Sequence, residues 1–159
     1  IECVIDGVPA GLGDPVFEQL DADLAKAVMS IGAVKAVEIG DGVDVSLHNG
    51  STNNDPFRIQ DGKIIKTSKH AGGLLGGISD GSRIILRAHM KPTPSIFTPQ
   101  ETVNKQGEEL EISIKGRHDP VIVPRAVVVV ESMAAITLLD ALLRNASAKM
   151  ENLKKLYQI

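Results

Sequence analysis

The chain has 159 residues, 43% of them hydrophobic, with 17 basic and 20 acidic side chains and a formal net charge of -3. That length suits one compact domain around one core, and the interspersed charge offers no footprint for nucleic acid or an anionic membrane, so any phosphate recognition must be local. With no Trp, one Tyr and three Phe, stacking platforms for single strands are scarce, and a single cysteine, Cys3, excludes an internal disulfide or a cysteine-based zinc cluster.

The opening Ile1-Glu2-Cys3-Val4-Ile5 alternates like the middle of a strand and has no initiator Met, which reads as a piece of something longer. After the turn-rich Pro9 to Gly13, Asp14 suits an N-cap and Pro15 the first position of a helix. Val16, Phe17, Leu20, Leu24, Ala27, Val28 and Ile31 then recur at helical spacing. Gly32 is a natural stop, and Ala33 to Ile39 reads as a buried strand closed by Gly40-Asp41-Gly42. From about 48 to 77 the apolar pattern collapses apart from Ile64-Ile65, and a stretch of that length without an obvious element points to a mobile lid.

Ile84 to Met90 and Leu110 to Lys115 read as strands. Pro124 can start a helix that runs to about Leu143; its Val-Val-Val-Val opening favours a strand by propensity, but the apolar pattern continues beyond strand length. The tail from Asn145 is amphipathic, with Met150, Leu153, Leu156 and Tyr157 on one side. No apolar run approaches the ~20 residues of a membrane span and no signal-peptide order is present, so a soluble, cytoplasmic protein is expected. The mixed order of elements predicts an α+β fold with a mixed, mainly antiparallel sheet and packed helices. One domain is expected over 1–147, with an amphipathic tail at 148–159.

Two polar segments carry the chemistry. Lys91-Pro92-Thr93-Pro94-Ser95 is held extended by its prolines, and Lys91, Thr93 and Ser95 alternate, so one point charge and two hydroxyls can face one anion. In Lys115-Gly116-Arg117-His118-Asp119-Pro120, Arg117 can bind an anion bidentately and Asp119 can take a proton. Taken singly, the first segment reads equally well as a rigid edge, and the second as a turn in which Arg117 pairs with Asp119. The run Gly72-Gly73-Leu74-Leu75-Gly76-Gly77 permits close backbone approach to a phosphate or flat ring, although a tight-packing turn explains it as readily. His48, His70, His89 and His118 are too scattered for a metal motif, and no metal is expected; His70, beside the glycine run, is the best functional candidate among them.

In combination these segments resemble the C-terminal portion of chorismate synthase. The resemblance runs from Gly11-Leu12-Gly13-Asp14-Pro15-Val16-Phe17 through Leu20 to Ala25, Met29 to Lys35 and Val37 to Gly42. It continues in Ala71 to Gly77, Lys91 to Ile96, Lys115 to Pro120 and Arg125-Ala126-Val127. It implies part of that family's β-α-β sandwich. It also implies an FMN-dependent lyase that makes chorismate from 5-enolpyruvylshikimate 3-phosphate by 1,4-elimination of phosphate, in the shikimate route to aromatic amino acids. The cofactor is reduced FMN, with NADPH as reductant in bifunctional members, and the family forms homotetramers.

By resemblance, Lys91, Pro92, Thr93, Pro94, Ser95 and Arg117 contact the flavin, Gly32, Ala33 and Gly76 let backbone approach it, and Asp119 helps remove the substrate proton. Asp14, Val43, Lys69, Asp80, Val121 and Val128 depart from the family's commoner residues. The resemblance further implies that the family's N-terminal half, with its two acid histidines and several substrate arginines, lies outside this sequence, so the chain alone is expected to have little or no lyase activity. The rival reading is a non-catalytic binding or assembly module of the same fold.

Overall fold

The computed structural model describes residues 1–159. Its elements run β1 (Glu2–Ile5), α1 (Leu20–Met29), β2 (Val34–Ile39), a 3-10 helix (Gly42–Leu47), β3 (Phe57–Gln60) and β4 (Lys63–Lys66). There follow β5 (Leu74–Leu75), β6 (Ile78–Ser79), β7 (Ile84–Met90), β8 (Gln100–Val103), β9 (Glu109–Ile112), α2 (Val123–Ser147) and α3 (Met150–Tyr157). The main sheet has the order β1-β7-β2, with β7 antiparallel to both neighbours. The other strands form three antiparallel hairpins, β3-β4, β5-β6 and β8-β9. The fold is α+β with every pairing antiparallel.

Alternation along β7 decides which face is covered. Ile84, Leu86 and Ala88 are buried, and they share a core with Leu20, Leu24 and Val28 of α1 and Val130, Ala134 and Ala141 of α2. The opposite face of β7 carries Arg87 and His89, paired with Glu2 and Glu38, so this side of the sheet is polar and open. The core is aliphatic throughout, as a chain with 3% aromatic residues requires.

Helix α2 is long and apolar enough to cross a membrane, with a mean hydropathy of 2.1 over its most apolar stretch. This corrects the expectation that no apolar run approaches a membrane span, although one stripe of the helix, Val130, Ala134 and Ala141, packs on this core. Near its end, Arg144 Nη2 donates to Asp23 Oδ2 of α1 at 2.6 Å, and Lys26 Nζ lies 2.9 Å from Asp23 Oδ1. Burial pushes the Asp23 carboxyl up, but the hydrogen bonds from Lys26 and Arg144 outweigh it and hold the group below the usual carboxylate range. The outer face of α2 leaves Val128, Ile136, Leu139 and Leu143 exposed. In α3 only Leu153 is half-buried, while Met150, Leu156 and Tyr157 face solvent.

Three sequence expectations change. The first helix begins at Leu20, not at Asp14-Pro15: Val16 sits at φ 71 and the Leu20 amide donates to Gly77 O at 2.7 Å, so a tertiary hydrogen bond sets the helix start. The stretch 48–77, read as lacking an obvious element, contains β3 and β4 joined by Asp61-Gly62 at φ 51 and 73, the left-handed pair that a two-residue hairpin needs. The strand β8 pairs with β9, which ends at Ile112 before the expected Lys115.

Leu24 is fully buried between α1, the sheet and α2. Leu24→Ala is expected to destabilise the fold by about 2–5 kcal/mol, read as a lower urea midpoint with an unchanged slope.

Candidate functional site

The proline segment begins where the ladder stops. Lys91 N–H donates to Ala33 O at 2.7 Å, the last rung between the ends of β7 and β2, and Ala33 holds φ 71. Pro92 and Pro94 have no N–H with which to continue, so the chain must leave the sheet there. Gln100 Nε2 donates to Pro94 O at 3.2 Å and Ser113 Oγ to Phe97 O at 2.7 Å, which joins the segment to the β8-β9 hairpin. The ring of Phe97 meets that of His118 near edge-on, 6.2 Å between centroids. The two polar segments read from the sequence are therefore neighbours through Phe97 and His118.

Within them, Lys91 and Arg117 are exposed and form no ion pair. Thr93 Oγ1 and His118 Nε2 are buried without a hydrogen-bond partner, and each such orphan costs about 1–3 kcal/mol. Asp119 does not pair with Arg117; its Oδ2 lies 2.5 Å from Arg125 Nη1, at the start of α2. Gly32 and Gly76 both have open space where a Cβ would stand. Ala33 and Lys91 are thus in direct contact, and Arg117 and Asp119 share a segment beside Phe97. No hydrogen bond joins Gly76 to any of them; its carbonyl accepts from Gln19 Nε2.

A second polar cluster ties down the 48–77 region. The Lys66 ammonium, buried with its whole side chain, pairs with Asp80 and lies 4.0 Å from Asp55. Asp55 accepts from Ser68 Oγ at 2.6 Å and from the amides of His70 and Ala71 at 2.8 and 2.9 Å. Asp80 also accepts from Ser82 N–H at 2.8 Å. Burial raises both carboxyls, yet these donors outweigh it and hold Asp55 and Asp80 below their ordinary values. Beyond this cluster, Asp41 Oδ2 lies 2.6 Å from His70 Nδ1 and accepts from Asn53 Nδ2 at 3.2 Å. Sequence reading singled out His70 but not its partner, which is 29 residues away; the Gly40-Asp41-Gly42 turn was the available signal.

The profile of the chorismate synthase family matches residues 1–143. The chain belongs to the chorismate synthase family. A relative named chorismate synthase from Agathobacter rectalis is 64% identical over 157 residues, covering 99% of this chain and 43% of its own length. One of the same name from Methanosarcina barkeri is 58% identical over 146 residues, 91% of this chain and 40% of the relative. A crystal structure of chorismate synthase superposes with a TM-score of 0.73 at 35% identity, covering 99% of this chain and 41% of that one. The chain thus spans about two fifths of the length of the chorismate synthases it matches.

Replacing Lys66 by Met leaves Asp80 buried without its cation, and is expected to cost about 3–5 kcal/mol at neutral pH. Because the folded Asp55 and Asp80 titrate below their unfolded values, their contribution is complete above a pH of about 4 and is lost as pH falls through the folded pKa values. Urea titrations between neutral and acidic pH should show the wild type losing stability on acidification and Lys66→Met losing less.

Proposed function

We propose that this chain forms the flavin-binding part of a chorismate synthase, which converts 5-enolpyruvylshikimate 3-phosphate to chorismate and phosphate by 1,4-elimination. The observation that carries this reading is a buried Thr93 hydroxyl that lacks any partner, two residues from the unpaired Lys91, on a segment whose Phe97 meets His118, the neighbour of the unpaired Arg117. A hydroxyl in that state is satisfied by an acceptor oxygen from outside the chain, and unpaired cations on the two neighbouring segments favour an anion. FMN brings such an oxygen in its phosphate, so the residues present fit the group.

In this reading Lys91, Thr93 and Ser95 hold the phosphate, the prolines 92 and 94 keep the three from collapsing onto the backbone, and Arg117 adds a bidentate contact. Gly32, Ala33 and Gly76 supply backbone surface without side-chain obstruction; the free space at Gly32 and Gly76 supports this for those two positions. Reduced FMN, when bound, would supply electron density to the substrate ring as its C–O bond to phosphate breaks, without net redox change. Asp119 receives the proton that is removed, and Arg125, 2.5 Å away, fixes its orientation. Local cations suffice for a phosphorylated, carboxylated substrate, so the overall charge of -3 is no obstacle. A soluble, cytoplasmic homotetramer, with NADPH as the electron source in some members, completes the reading.

Titrating FMN against this chain while following flavin fluorescence tests the cradle. Saturable quenching, strengthened by the substrate and weakened about tenfold or more by Lys91→Ala or Arg117→Ala, is the expected result. Wild-type affinity in both variants would remove the cradle. In the full-length enzyme, Asp119→Asn is expected to lower turnover by roughly 10²- to 10⁴-fold; an unchanged rate takes Asp119 out of the mechanism.

A further inference from the structure

Asp41, at the tip of the turn after β2, is engaged twice by the same histidine. Its amide donates to His70 O at 2.9 Å, and its Oδ2 lies 2.6 Å from His70 Nδ1. An ionised carboxylate can only accept, so Nδ1 carries the hydrogen, and in the neutral ring the lone pair then sits on Nε2. That nitrogen has no partner in the protein, and the His70 side chain is 29% exposed. Asn53 braces the acceptor from its other side. The charged and titratable groups around the ring are Asp41, the exposed His48 at 6.0 Å between ring centroids, and Asp55, which accepts from the His70 amide.

His89 also meets a carboxylate, Glu38, at 3.0 Å, but two features separate His70 from it. A cavity of about 390 Å³ adjoins the pair through its lining residues Asn53, which donates to Asp41, Asp55, which accepts from the His70 amide, and Ala71, the next residue in the chain. His70 also opens the loop that ends at Gly76 and Gly77. A carboxylate on one ring nitrogen and an open lone pair on the other is the arrangement in which an imidazole takes up and returns a proton, because the carboxylate fixes the tautomer and stabilises the imidazolium that forms.

We propose that His70, oriented by Asp41, is a proton-exchanging residue that receives an O–H or N–H group of a small ligand at the mouth of this cavity. The proton of that group passes to Nε2, giving an imidazolium and the ligand's anion, and returns by the reverse step. The proposal rests on the flavin reading for the ligand's identity: the donor is either the ring imide of FMN or a hydroxyl of 5-enolpyruvylshikimate 3-phosphate.

Long-range ¹H–¹⁵N correlation of the four imidazoles in this chain reads the tautomer directly, and diethyl pyrocarbonate labelling, mapped per histidine, reads the reactivity of Nε2. The Nδ1–H form is expected for His70. Asp41→Asn, whose carboxamide can donate to Nδ1, is expected to reverse the tautomer and to slow labelling of His70 about tenfold or more while sparing His89. Whichever of FMN and the phosphorylated substrate slows labelling of His70 in the wild type identifies the source of the donor. An Nε2–H tautomer in the wild type overturns the proposal, as does a ligand-saturated protein in which His70 labels at the free rate. If FMN fails to quench at all, the flavin reading falls, and the tautomer of wild-type His70, which needs neither ligand nor variant, still decides the role of the residue.

Discussion

Strand β7 is the only strand with a partner along both edges, and the rest of the molecule is placed by it. Its inward residues anchor the core against α1 and α2. Its start is reached from the glycine-rich loop, and its end delivers Lys91 to the Ala33 carbonyl. Since the two following prolines in that stretch cannot donate, the ladder ends at a defined residue and the polar groups of the segment leave the sheet from a rigid base. A helix in this position would present Lys91, Thr93 and Ser95 on different sides, whereas an extended exit from the sheet allows them to share one.

The glycine turns at 40 and 72 solve a different problem, that of bringing two loops into backbone contact. A Cβ on Gly40 would stand 2.1 Å from His70 O, and one on Gly72 would stand 2.3 Å from Gly40 N. No side chain fits at either place, and both residues sit at φ near 60. This close approach is what allows Asp41 to reach His70. The buried Lys66, Asp55 and Asp80 continue the same polar seam toward the start of β7. Ion pairs of this kind add little net stability compared with an apolar equivalent, but they penalise any other register of the loops.

Local periodicity made α1, β7 and α2 legible, because each buries one stripe or alternates by position; β2 was found as a strand, but the expected buried strand is an edge strand with only Val34 buried. The start of α1 was not legible. Asp14-Pro15 carries a sound capping signal, and the competing hydrogen bond from Leu20 to Gly77 spans 57 residues. The β3-β4 hairpin was announced by Asp61-Gly62, but β3 is exposed along its whole length and β4 is covered only at its end, at Ile65 and Lys66, so the alternation that marks a half-buried strand was missing. In β8 and β9, Glu101 faces Glu111 directly across the ladder, a pairing that no propensity argument favours. At the candidate site the two polar segments were visible as types of residue. Their adjacency through Phe97 and His118, and the pairing of Asp119 with Arg125 in preference to Arg117, are tertiary facts.

The absence of tryptophan gives the position of Tyr157 an unusual weight. The one strong ultraviolet fluorophore of the chain sits, two-thirds exposed, on α3 at the periphery, while the core that holds the fold together is optically dark. Tyrosine emission therefore reports whether α3 stays seated on α2, and backbone circular dichroism reports the sheet and the long helices. If the two signals separate during denaturation, the tail is a cooperative unit of its own and the core outlives it.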